Sequence, residues 1–217
     1  MKKGLTELVF ILDKSGSMSG LECDTIGGYN SMLKKQQAVD GECRVTTVLF
    51  DHGYELLHDR IDLQAVSAMT EREYQVGGST ALLDAIGKTI HKIVNAQKYT
   101  AEEYRAESVL FVIITDGEEN SSREFSSKKI KRLIEEQKEK YDWEFIFLGA
   151  NIDSVESAGR FGIEADRAVD YLADSEGTKL NYDVIAEAVS TFRESGIVDE
   201  TYFEKIREDV KRRRGRK

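Results

Sequence analysis

Three runs in this chain, residues 8–12, 109–114 and 145–148, are apolar at every position. Runs of that length are strand-sized, and a strand with no polar alternation is covered on both faces. Between such runs stand longer segments whose apolar residues recur with a helical period. Leu82, Leu83, Ile86, Ile90, Ile93 and Val94 fit the helical repeat and predict a helix over 81–96. Buried strands alternating with helices of this length make βαβ units, whose crossovers pack on both faces of a parallel sheet. The pattern therefore predicts an α/β fold, a doubly wound, mostly parallel sheet with helices on both faces.

The other elements fit that frame. Strands are expected over 7–12, 44–50, 108–115, 143–148 and 168–171. Residues 54–61 read as a short strand turning back on 44–50 through Asp51-His52-Gly53, which gives one antiparallel edge strand. A helix is expected over 26–39, its start weakened by Gly27-Gly28. Further helices are marked by Ile130, Leu133, Ile134 and Gln137, by residues 155–161 with Gly162 as the stop, and by Ile185, Ala188, Val189 and Phe192. One domain is expected over 5–195. Residues 196–217 are charge-dense, with enough apolar residues (Tyr202, Phe203, Ile206, Val210) for a docked or fraying helix. The closing run 211–217, Lys-Arg-Arg-Arg-Gly-Arg-Lys, reads as disordered.

Composition narrows the function. The 217 residues contain no proline, which excludes proline-rich linkers and ligands. Forty acidic against 31 basic residues, a net charge of −9, exclude a chain that coats nucleic acid with an all-basic surface. Cys23 and Cys43 are too few for a disulfide framework and read as free thiols; His52, His58 and His91 lack zinc-ligand spacing. No apolar stretch approaches the roughly 18 residues of a membrane helix, and the basic start is followed by too short an apolar run for a signal peptide. A soluble cytoplasmic protein without membrane contact is expected.

Sheets of this kind bind ligands beyond the carboxyl ends of their strands. Three loops there carry small oxygen donors: Asp13-Lys14-Ser15-Gly16-Ser17, Gly77-Gly78-Ser79-Thr80, and Thr115-Asp116-Gly117-Glu118-Glu119. In a tight loop the alternating Asp13, Ser15 and Ser17 side chains converge, and Asp13 and Asp116 end strands expected to be neighbours. Oxygen-only donors with few carboxylates suit a hard cation of the Mg²⁺ type.

These residues resemble the metal-ion-dependent adhesion site of the von Willebrand factor A family. Its pattern is Asp-x-Ser-x-Ser after the first strand, a Thr in a middle loop and Asp-Gly after the fourth strand. Asp13, Ser15, Ser17, Thr80 and Asp116 match all five positions, and the resemblance covers about residues 5–195, pointing to the small stand-alone prokaryotic or phage members. It implies a Rossmann-like von Willebrand factor A fold and a Mg²⁺ ion, with Ca²⁺ or Mn²⁺ as alternatives. Ser15, Ser17 and Thr80 would bind the ion directly, Asp13 and Asp116 directly or through water. A partner protein would complete the site with an Asp or Glu carboxylate. The chain is thus expected to be a non-enzymatic interaction module of undetermined oligomeric state. The alternatives are a metal-assisted phosphoester hydrolase, for which no general base accompanies the loops, and non-specific binding of anionic polymers such as nucleic acid through 211–217. Asp51 reads as a turn residue, Glu118 and Glu119 as solvated loop charges, and Asp84 as a helix-dipole or supporting residue. Lys14 and Met18 are candidate partner contacts.

Overall fold

Side-chain alternation along three central strands explains why their sequences are apolar throughout. The structure is a computed structural model and describes residues 1–215. In β1 (Lys2–Asp13), Leu8, Phe10 and Leu12 face one apolar cluster and Val9 and Ile11 face another. The same split divides β4 (Ala106–Asp116) into Leu110, Val112 and Ile114 against Val109, Phe111 and Ile113. In β5 (Glu144–Ala150) it separates Ile146 and Leu148 from Phe145 and Phe147. A period of two in a strand buried on both sides leaves no position for a polar residue.

Each face is closed by its own helices. The first cluster holds Tyr29, Met32 and Leu33 of α1 (Glu22–Gln37), Ile185, Val189 and Phe192 of α5 (Ser175–Ser195), and Phe203 and Ile206 of α6 (Thr201–Arg214). The second holds the apolar stripe of α2 (Leu82–Tyr99), Ile130 and Ile134 of α3 (Ser127–Tyr141), and Ala158 and Phe161 of α4 (Ser154–Phe161). With β2 (Glu42–Phe50), β3 (Tyr54–Asp62) and β6 (Ala168–Tyr171), the sheet order is β3-β2-β1-β4-β5-β6. All neighbours run parallel except β2 and β3, so the antiparallel edge strand lies where the sequence puts it.

Three expectations shift. Helix α1 begins at Glu22, ahead of the Gly27-Gly28 pair, because Glu22 and Asp24 in its first turn complement the helix dipole. Gly28 faces α5, where a Cβ would meet the Tyr182 ring at 2.4 Å. The run expected to be disordered, 211–217, continues α6 through Arg214, because Arg212 and Arg213 pair with Asp209 one turn back. Arg216 and Lys217 lie outside the described residues. Met18, expected as a partner contact, is instead buried in the first cluster. Cys23 and Cys43 are both free; Cys23 is exposed, and burial pushes the Cys43 thiol up to about 12. Among the described residues no helix is long and apolar enough to cross a membrane.

The chain leaves β1 for β2 on one side and returns from β3 to β4 on the other. The sheet therefore reverses direction between β1 and β4, and a crevice opens beyond their carboxyl ends.

Candidate metal centre

Asp13 is the last residue of β1 and is 1% exposed. Its carboxylate joins two strand ends. Oδ1 accepts the Ser15 N–H at 2.7 Å, which starts the first loop. Oδ2 accepts the Thr115 hydroxyl at 2.7 Å and the Asp116 N–H at 3.3 Å, both from β4. A single 3-10 turn, Gly16–Met18, then brings Ser15 Oγ and Ser17 Oγ to 3.1 Å. Burial of Met18 and Leu21 beneath the turn holds it against the core.

Asp116 ends β4 and is 2% exposed. Its Oδ1 accepts from Asn151 Nδ2 in the loop after β5. Gly117 follows at φ +139°, and a Cβ there would lie 3.4 Å from Ser17 Oγ, so the third loop abuts the first. The middle loop is tied to the first by Gly16 N–H to the Gly78 carbonyl at 3.1 Å and Gly77 N–H to the Lys14 carbonyl at 2.9 Å. Gly78 sits at φ +74°, where a Cβ would meet His52 Nδ1 at 2.3 Å. The positive φ is what favours glycine there, since the exposed His52 ring can move aside. Thr80 is buried and clasped by Asn120. Thr80 N–H donates to Asn120 Oδ1 at 2.9 Å, and Asn120 N–H donates to the Thr80 carbonyl at 3.0 Å. No hydrogen bond reaches Thr80 Oγ among the described residues.

All three loops named from the sequence are thus brought together by direct hydrogen bonds and contacts. Several supporting residues were not legible there. Tyr74 donates its hydroxyl to the Asp13 carbonyl from a segment without regular structure, and no sequence signal marks it. Asn151 was accessible in principle, as an amide directly after a buried strand at the ligand end of the sheet. Glu119, read as a solvated charge, accepts the Leu83, Ser121 and Ser122 N–H groups and the Ser122 hydroxyl. Asp84 accepts three backbone N–H groups, from Arg123, Glu124 and Phe125. Burial pushes its carboxyl up, but those donors outweigh it and hold Asp84 below the usual carboxylate range. Asp51 is a turn residue, accepting the Gly53 N–H at 2.6 Å, and its carbonyl receives the Ala81 N–H at 2.7 Å at the rim of the middle loop. Lys14 turns away to pair with Glu55 at 2.6 Å.

The electrostatics of the centre are those of two buried like charges. Burial raises Asp13, against hydrogen bonds from Ser15 and Thr115. Burial also raises Asp116, Asn151 opposes this, and the nearby Asp13 charge adds to it. Among the described residues neither carboxylate is paired with a Lys, Arg or His. No group of three or more His, Cys, Asp or Glu side chains placed to hold a metal occurs among them either. A cation here would rely on two carboxylates and the hydroxyls of Ser15, Ser17 and Thr80. That donor set, all hard oxygen and mostly neutral, fits Mg²⁺ chemistry.

No protein-family model matches the chain, and no curated protein matches it. Solved structures do. A von Willebrand factor type A protein from Catenulispora acidiphila superposes with a TM-score of 0.58 at 14% identity, covering 85% of this chain and 42% of that one. The ArnB paralog VWA2 from Sulfolobus acidocaldarius gives 0.54 at 18% identity, covering 87% and 45%. The chain has a von Willebrand factor A-like fold. A mutant form of the PilB minor pilin from Streptococcus sanguinis matches similarly, at 0.59 and 12% identity, covering 87% of this chain and 62% of the pilin. The chain therefore spans between about two fifths and three fifths of the length of these structures.

Proposed function

We propose that the chain is a Mg²⁺-dependent protein-interaction module. In this reading Ser15, Ser17 and Thr80 hold the cation, with Asp13 and Asp116 supporting it directly or through water. A protein partner completes the site with an Asp or Glu carboxylate, and Ca²⁺ or Mn²⁺ are the alternative ions. The observation that carries the reading is the pair of buried carboxylates, Asp13 and Asp116, side by side with no cationic side chain among the described residues paired to either. Buried charges in proteins are paired or coordinate a metal. Both oxygens of Asp13 accept internal hydrogen bonds, from Ser15 on one side and from Thr115 and Asp116 on the other, which fix the carboxylate between the first and third loops. Bound there, Mg²⁺ would supply an electrophilic position for an outside carboxylate, because neutral hydroxyl ligands leave it most of its charge. The von Willebrand factor A-like fold agrees with an interaction module, and the reading assigns no catalytic residue.

The test is direct binding of Mn²⁺, as a paramagnetic probe of the Mg²⁺ site, to the wild type and to Thr80→Ala and Asp13→Ala. Each substitution is expected to weaken binding by about tenfold or more, the range for altering a metal site's ligands or their supports. Far-ultraviolet circular dichroism should stay unchanged in Thr80→Ala. Equal Mn²⁺ affinity in all three proteins would overturn the assignment.

A further inference from the structure

A cavity of about 350 Å³ lies at the opposite end of the sheet from the candidate centre, where β4 and β5 begin. Its volume falls within the roughly 300–1,000 Å³ of pockets that take small molecules. Val94 of α2, Ala106 of β4 and Trp143 just before β5 give it an apolar lining. Trp143 is buried and stacks on Phe111, which stacks on Phe145 in turn, so the core backs this wall. Met1 and Tyr141 also line the cavity and are exposed, which leaves it reachable from solvent.

Two glutamines of the lining each keep one side-chain atom unpaired. Gln137 of α3 is 3% exposed, and its Oε1 has no donor among the described residues. Gln97 of α2 accepts the Ala106 N–H on its Oε1 at 3.2 Å, but its buried Nε2 has no acceptor among them. Buried polar atoms are normally paired, so an acceptor and a donor left open on one cavity mark a place for a ligand that offers both. The charged residues of the lining balance: Lys98 and Arg105 offset Glu102 and Glu107. Arg105 donates to the Thr100 and Lys98 carbonyls, and Glu107 accepts the Gly4 N–H at 2.7 Å. The cavity therefore suits an uncharged ligand.

We propose that this cavity binds a small, uncharged, planar heteroaromatic molecule that carries an N–H donor beside an acceptor. The donor meets Gln137 Oε1 and the acceptor meets Gln97 Nε2, while the ring packs on the apolar wall that includes Trp143. An aromatic carboxamide and the edge of a nucleobase share this chemistry. The inference is independent of the metal-dependent reading, because the cavity lining and the candidate centre share no residue.

Trp143 is the only tryptophan in the chain, so its fluorescence reports occupancy of the cavity. The full chain is titrated with nicotinamide, the carboxamide probe, and with adenine, the nucleobase probe; the tighter of the two identifies the source. At least one is expected to give a saturable change. 3-Acetylpyridine, which has a methyl group where nicotinamide has its amide nitrogen, should bind about fivefold more weakly than nicotinamide, as the loss of one hydrogen bond predicts. Gln137→Met removes the open acceptor and keeps the shape, so it should weaken the binding probe by about the same factor. Its urea midpoint should equal or exceed that of the wild type, which shows that the fold is intact. Val94→Phe, which fills the cavity, should abolish the saturable change. Collisional quenching without saturation by both probes overturns the assignment. So does a Gln137→Met chain that binds its probe as the wild type does, or 3-acetylpyridine binding as tightly as nicotinamide.

Discussion

His58 shows how a single side chain can set a pH limit far from the candidate centre. It is buried, with Nδ1 at 3.0 Å from Thr47 Oγ and 3.3 Å from the Tyr29 hydroxyl, and its ring stacks on Tyr29. Burial holds its pKa below the ordinary value of 6.5. The unfolded chain therefore takes up a proton at a pH where the folded chain refuses it. The stability from this neutral imidazole is complete above pH 6.5 and is lost as pH falls through the folded-state value. Urea midpoints should hold steady from about pH 8 to pH 6.5 and then fall, and His58→Gln should flatten that slope. Equal slopes in both proteins would show that other groups control it. This role of His58 was not legible beforehand, because the residue lies in the edge strand and its partners come from two other elements. The candidate centre behaves differently. Asp13, Ser15, Ser17, Thr80 and Asp116 stand in loops that follow a recognisable strand or precede a recognisable helix, so the convergence of those loops was legible. Asn120 and Tyr74, which fix the Thr80 and Asp13 backbones, were hidden because their partners are 40 or more residues away.

At the scale of elements, the strands were legible because burial on both faces removes polar residues, leaving a contiguous signal. Boundaries moved where another force prevails. Strands β1 and β4 run on to include Asp13 and Asp116, since ladder hydrogen bonds do not stop where apolarity does. Helix α1 was underread because glycine propensity argues against a helix start, whereas the glycine serves packing. At Gly28 a Cβ would lie 2.4 to 3.0 Å from Tyr182 of α5. Alanine has the higher helix propensity, by about 1 kcal/mol in an exposed helix. At this crossing the overpacking cost of about 1–3 kcal/mol should win. Gly28→Ala is therefore expected to lower the free energy of unfolding. Gly27→Ala, where a Cβ meets nothing within 4 Å, should leave it equal or higher. Chemical denaturation of the two variants side by side checks this, and a stabilised Gly28→Ala would mean that α1 and α5 separate at no cost.

For the whole molecule, the net charge of −9 averages two unlike parts. Residues 211–217 hold six of the 31 basic side chains, which leaves 25 basic against 40 acidic over 1–210, a net of −15. The fold brings the parts together at one corner. Arg213 pairs with Asp174 at the start of α5 and at 3.1 Å with Asp209, whose side chain is only 6% exposed. Arg212 reaches Asp209 at 2.6 Å and Glu176 at 3.4 Å, and Arg214 lies 3.7 Å from Asp170 at the end of β6. Single exposed pairs are each worth at most about 1 kcal/mol. Here, however, a nearly buried carboxylate would lose both its partners at once. Removing 211–217 should therefore lower the free energy of unfolding by about 1–3 kcal/mol, more than independent surface pairs would give. The loss should shrink in high salt, where the like charges left on residues 1–210 are also screened. Adding Asp209→Asn to the truncated chain should restore part of the loss by removing the stranded charge. If truncation leaves stability unchanged at low salt, Arg212 and Arg213 do not hold α6 against α5. The basic run would then be free to meet anionic partners, and a gel shift that disappears with the same truncation would reveal them.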